Sequence, residues 1–178
     1  MKIFTIGYGG LGPSAFVQVL KEHSVESVVD TRIWPIRASM GSYILSKSPE
    51  KGIQGLLARH GIAYFSLLEL GNPFFQGMPD WKNRYQRLIG AAGDFLTERL
   101  TNVPEPLCLL CSEKDPADCH RWILGDFLKE RGHEVEHLIV QTVKPPAKKA
   151  ANKDREALTM SAQNDRAEKG LPPSTTGS

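Results

Sequence analysis

The sequence predicts one three-layer α/β domain: a mostly parallel sheet of about five strands with helices on both faces. Three observations lead there. Short apolar runs alternate along the chain with segments of helical spacing. Most of those runs are continuous rather than alternating, as strands covered on both sides are. The residues able to do chemistry stand where apolar runs end and helices begin, which is where parallel sheets hold ligands.

The elements follow in order. Lys2 to Ile6 reads as a strand, and Gly7-Tyr8-Gly9-Gly10-Leu11-Gly12 as a tight turn. A helix starting at Pro13 or Ser14 carries Phe16, Val17, Val19 and Leu20. Val25 to Val29 is a second strand that ends in Asp30-Thr31-Arg32, followed by an irregular stretch from Ile33 to Pro49. Ile53, Leu56, Leu57 and His60 have helical spacing, with Gly61 as the stop. Ile62 to Leu67 is the third strand, and a loop through Phe74 and Phe75 leads to a long helix from Trp81 to about Leu100. Leu107 to Cys111 is the fourth strand. The next helix is expected from Pro116 to Arg131, ended by Gly132, and Glu134 to Val140 is the last strand.

The chain has 178 residues, enough for one domain of 1–140 and a tail of 141–178. The tail is rich in Lys, Pro, Ala and Ser and is expected to be a disordered or partly helical extension. Through Val140 there are 15 basic against 16 acidic residues, and beyond it 7 against 4. The net charge of +2 therefore belongs to the tail and does not argue for a nucleic-acid-binding face on the domain. No segment approaches the roughly 20 apolar residues of a membrane helix. Three clustered cysteines make no disulfide framework, and the start reads as a strand rather than a signal peptide. A reducing cytoplasm is the expected compartment.

The stretch Cys111-Ser112-Glu113-Lys114-Asp115-Pro116-Ala117-Asp118-Cys119-His120-Arg121 concentrates the chemistry. Asp115 suits a helix N-cap, Pro116 the first helical position and Asp118 a capping-box acid. Cys119 and His120 then fall in the second turn of that helix. Stepping back from Ile123 and Leu124 turns both toward the sheet, with Arg121 at the edge of the stripe.

A metal would use Cys111, Cys119 and His120, but adjacent helical residues diverge by about 100° and rarely share one ion, and no second Cys/His pair stands elsewhere in the sequence to complete a site. No metal and no cofactor is therefore expected. Cys108 and Cys111 have redox-pair spacing, yet a strand puts them on opposite faces. Glu113 and Asp115 work against a thiolate at Cys111, whereas Cys119, near a helix N-terminus, is the better nucleophile. Plain burial of both thiols is the competing reading. Under it, Glu113, His120 and Arg121 still suit acid–base work on an anion.

At the other strand ends, the Gly7-Tyr8 turn can offer amides to an anion, although it matches neither the dinucleotide fingerprint nor a P-loop. The alternative there is an ordinary tight turn. Asp30 and Arg32 read either as a buttressing ion pair or as an anion clamp positioned by its carboxylate, with Arg37 as a second donor. The candidate set is thus Glu113, Cys119 and His120 for catalysis, with Gly7, Tyr8, Asp30, Arg32 and Arg121 for substrate.

Taken together, Thr5-Ile6-Gly7-Tyr8-Gly9, Val29-Asp30-Thr31-Arg32 with Pro35, Leu70-Gly71, and the 111–121 stretch resemble the bacterial domain-of-unknown-function family numbered 488. The resemblance spans about Met1 to Val140. It implies a small cytoplasmic α/β protein in which the cysteine-bearing motif matters, and it implies no activity. Many members carry His-Ser where Tyr8-Gly9 stands, and Leu-Gly-Gly where Leu70-Gly71-Asn72 stands.

The expected function is an enzyme acting on a small anionic or nucleotide-like molecule at the C-terminal strand edge. Two alternatives stand beside it. One is a nucleic-acid-associated protein, resting on Trp34, Phe74, Phe75 and Trp81 interleaved with Arg37, Lys82, Arg84 and Arg87, and on the basic tail; the favoured reading of those aromatics is that they pack long loops onto the sheet. The other is an anion-binding regulatory module without catalysis. No membrane partner is expected.

Overall fold

The structure is a computed structural model that describes residues 1–74 and 78–140. The expected tail and Phe75 lie outside the described residues. Five strands form one sheet, parallel throughout, in the order β3-β2-β4-β1-β5. They are β1 (Lys2–Gly7), β2 (Ser27–Asp30), β3 (Ala63–Ser66), β4 (Leu107–Cys111) and β5 (Glu134–Leu138). The helices are α1 (Pro13–Glu22), α2 (Gly52–Ala58), α3 (Trp81–Thr97) and α4 (His120–Glu130).

Burial follows position in the sheet. β2 and β4 are buried at every residue, and β1 at every residue but Lys2. The edge strands β3 and β5 are only partly covered, so β5 alternates as Glu134-Val135-Glu136-His137-Leu138 instead of running apolar. Side chains of successive strand residues enter two separate cores. Phe4, Ile6, Val28, Cys108 and Leu110 meet α1 and α2 on one face. Ile3, Val29, Leu107 and Leu109 meet α3 and α4 on the other.

That layering positions the site. The connection after β2 runs to α2 and that after β1 to α1, both on the first face, whereas β4 feeds α4 on the second. β4 lies between β2 and β1, so its carboxyl end is flanked by a topological switch on each side. Cys111 is its last residue.

The principal departure from the sequence reading is at α4. Asp115 does cap a turn, accepting from the Ala117 amide at 2.8 Å, and Pro116 does follow it, but the turn is a 3₁₀ segment that ends at Asp118. Cys119 is extended (φ −126°, ψ 147°) and becomes the N-cap of a helix that starts at His120. Cys119 and His120 are thus not second-turn neighbours, and Asp118 is exposed rather than part of a capping box. At the far end Gly132 takes φ 80° just past the helix, as expected of its stop. The long helix likewise ends at Thr97 and tightens into a 3₁₀ turn to Asn102. No helix among the described residues is long and apolar enough to cross a membrane.

Candidate functional site at the carboxyl end of β4

Breaking the helix at Cys119 turns its thiol back over the strand end. The Cys119 and Cys111 sulfurs each lie 3.7 Å from His120 Nδ1. All three side chains are buried. The other imidazole nitrogen, Nε2, is 3.1 Å from the Thr31 hydroxyl at the end of β2. That hydroxyl spends its single proton on the Leu110 carbonyl at 3.0 Å. His120 Nε2 must therefore be the donor to Thr31, which in the neutral ring leaves a lone pair on Nδ1 facing both thiols. Tyr85 packs beside the cluster, its ring edge-on to His120 at 5.3 Å and its hydroxyl on the Leu70 carbonyl at 2.7 Å.

Glu113 completes the group. Its carboxylate accepts from the Cys111 thiol at 2.7 Å and from the Ser112 hydroxyl at 3.1 Å. Hydrogen bonding with Cys119, then burial, pushes the Cys111 thiol well above its ordinary range, against the pull of His120. Burial pushes Glu113 up, but bonds from Cys111, its own backbone amide, Cys119 and Ser112 outweigh it. The carboxyl is held below the usual carboxylate range. At neutral pH an ionised carboxylate therefore sits against a protonated thiol. The sequence reading had the direction for Cys111 but placed the cause in Glu113 and Asp115; Cys119 and burial are the cause.

The loop that carries Glu113 is clamped from two sides. Arg121, almost wholly buried, donates from Nη1 to the Glu113 carbonyl at 2.6 Å and from Nη2 to the Lys114 carbonyl at 2.9 Å. Gly7 lies against the same carbonyl so closely that any Cβ there would overlap it. The amides of Tyr8 and Gly9 donate to the carbonyls of Cys111 and Ser112 at 3.2 and 2.9 Å. Those two amides thus extend the β1–β4 pairing and are not free to cradle an anion. Of the residues expected here to meet substrate, Gly7 packs against the loop and Arg121 spends Nη1 and Nη2 on it, with Nε buried and unpartnered.

Asp30 and Arg32 leave β2 on the opposite face from Thr31. Arg32 Nε and Nη2 bind the two Asp30 oxygens at 2.8 and 2.6 Å, and Nη2 also reaches the Tyr43 carbonyl at 2.9 Å. Tyr64 donates to Asp30 at 2.7 Å. Burial opposes the charge on Arg32, and Asp30 more than restores it. The third nitrogen, Nη1, is buried without a well-formed hydrogen bond; beside it is Tyr8, over whose ring the guanidinium lies at 5.1 Å. Tyr8 in turn stacks on Tyr43 at 4.3 Å. Arg37 is exposed in the following turn.

A model of the domain of unknown function DUF488 matches residues 13–128. The chain belongs to that family. No curated protein and no solved structure matches it. The DUF488 match takes in β2 and β4 with the whole cysteine-bearing segment, and it leaves the Gly7-Tyr8 turn outside.

Within this DUF488 chain the candidate residues thus fall into two groups at one rim. Glu113, Cys119 and His120 form a single cluster with Cys111 on the α3/α4 face, and Asp30, Arg32 and Tyr8 form the second on the α1/α2 face. Thr31 joins them, since its backbone continues into Arg32 while its side chain holds His120. Sequence reasoning passed over Thr31, although alternation from Asp30 and Arg32 points it at the opposite face. Of the aromatics considered for nucleic acid, Phe74 and Trp81 pack against the second core, and Trp34 is 45% exposed. Two surface grooves of about 340 Å³ each lie elsewhere, one between α3 and α4 and one beside α1 and His60.

Proposed function

We propose that this protein is an enzyme acting on a small anionic or nucleotide-like molecule laid across the carboxyl ends of β2 and β4. Glu113 is the proton acceptor. Arg32 is the anion anchor, through Nη1, and Asp30 is its positioning residue. The observation that carries the reading is the pair of unlike acids at the β4 end, Cys111 held protonated and Glu113 held ionised, 2.7 Å apart. Environments that push neighbouring titratable groups apart are what acid–base chemistry requires. Arg32 supplies a buried cation at this rim, and its Nη1, beside Tyr8, has no well-formed hydrogen bond.

The test is metabolite identification by mass spectrometry on the full chain incubated with a cell extract, comparing wild type, Glu113→Gln and Arg32→Lys. Glu113→Gln should still retain the wild-type ligand but leave it chemically unchanged. Arg32→Lys keeps a charge on Asp30 but loses the planar fork, and should weaken retention by about tenfold or more. A wild type that retains a ligand and never alters it would make the protein a binding module instead. Turnover surviving Glu113→Gln would remove the proton-acceptor role.

A further inference from the structure

We infer that Cys111, Cys119 and His120 form a zinc site, with Glu113 beside its fourth, open position. On one helix Cys119 and His120 would diverge too far to share an ion. They do not, because Cys119 is extended and His120 begins α4. The Cys111 and Cys119 sulfurs and His120 Nδ1 all lie within 4.8 Å of one another. Zinc bonds of about 2.3 Å to sulfur and about 2.0–2.1 Å to nitrogen set tetrahedral edges near 3.6 Å between sulfur and nitrogen. Both sulfur–nitrogen separations are 3.7 Å. Both sulfur–nitrogen edges are therefore in place, and the two sulfurs, within 4.8 Å of each other, need to stand about 3.8 Å apart to close the third.

Two further features fit a metal. The Nε2–H of His120 is tied to Thr31, which fixes the ring so that Nδ1 presents its lone pair inward; ligating histidines are held this way by their second nitrogen. The set is soft and nitrogen-containing, two thiols and an imidazole, which selects zinc over magnesium or calcium. Binding converts both thiols to thiolates and releases two protons to solvent, so an ion of charge +2 leaves the three ligands neutral as a unit. Loading removes the Cys111 proton, so the unlike pair belongs to the metal-free protein; in the loaded one Glu113 alone acts, as acceptor for a proton from a molecule at the open position. In the loaded protein Cys119 and His120 are ligands, not nucleophile and base.

The reduced full-length chain, stripped and then titrated with Zn²⁺, should hold about one equivalent through dialysis. Co²⁺ in its place should give sulfur-to-metal charge-transfer absorption and the strong visible bands of a tetrahedral ion. Cys119→Ser and Cys111→Ser should each lose the charge-transfer intensity of one sulfur and weaken binding by about 100-fold or more, and Thr31→Val by about 10–100-fold. Cys108→Ala should bind as wild type does, because Cys108 faces the other core. Wild-type protein that takes up no Zn²⁺, or a Co²⁺ spectrum without sulfur charge transfer, would overturn the site whatever the variants do. So would Cys119→Ser binding as tightly as wild type. None of these readouts needs a substrate. Zinc uptake without turnover would therefore sink the enzymatic proposal and leave this one standing, and turnover without zinc the reverse.

Discussion

Replacing Asp30 by alanine is expected to cost about 3–5 kcal/mol of folding free energy, the range for breaking a buried pair on one side only. Asp30 is fully buried and accepts four bonds: the Arg32 amide at 3.1 Å, two guanidinium nitrogens and the Tyr64 hydroxyl. Without it Arg32 is a cation with one carbonyl partner and no counter-charge. With a urea slope of about 2 kcal/mol per molar, the unfolding midpoint should fall by about 2 M. Removing the charge together with its partner should recover part of that loss, because no unpaired charge remains and only the Tyr64 hydroxyl and the Tyr43 carbonyl lose a partner. Asp30→Leu/Arg32→Met should therefore be more stable than Asp30→Ala. A single variant within about 1 kcal/mol of wild type would mean that water reaches the pair.

Arg121→Ala should be comparably damaging, at about 3–5 kcal/mol, and for a different reason. The substitution opens a cavity under α4 and strips the carbonyls of Glu113 and Lys114 of their donors. Lysine should not rescue it, since one ammonium cannot replace a planar fork that reaches two carbonyls at once. This result separates two roles. A guanidinium that held substrate would cost binding and leave the unfolding midpoint in place. One that clamps the loop should lower the midpoint in denaturation and, with the loop freed, also disorder Glu113.

The fold was legible because its determinants are local and strong. Continuous apolar runs such as Leu107–Cys111 read as interior strands, and Gly132, after the last residue of helical spacing, as a helix stop. Edge strands were less legible: β5 alternates because one side meets solvent, and its expected end at Val140 falls beyond the observed Leu138. The break at Cys119 was not legible. Asp115-Pro116 is a good helix start, and nothing in the one-dimensional pattern says that the turn stops after three residues and a second helix starts at His120. That break decides the chemistry, since it converts two diverging side chains into two that converge on Cys111. The roles of Gly7 and Arg121 were hidden for a related reason. Both meet backbone carbonyls of the loop after β4, and sequence carries no mark of which carbonyls lack a donor.

Everything proposed for the β4 end depends on His120 turning Nδ1, not Nε2, toward the two sulfurs. Long-range ¹H–¹⁵N correlation spectra of the imidazole, recorded on reduced, metal-free protein, read this directly. The hydrogen bond to Thr31 predicts a proton on Nε2 and an unprotonated Nδ1, and Thr31→Val should disturb that preference. A neutral ring with its proton on Nδ1 would turn the lone pair away from Cys111 and Cys119 and contradict the arrangement.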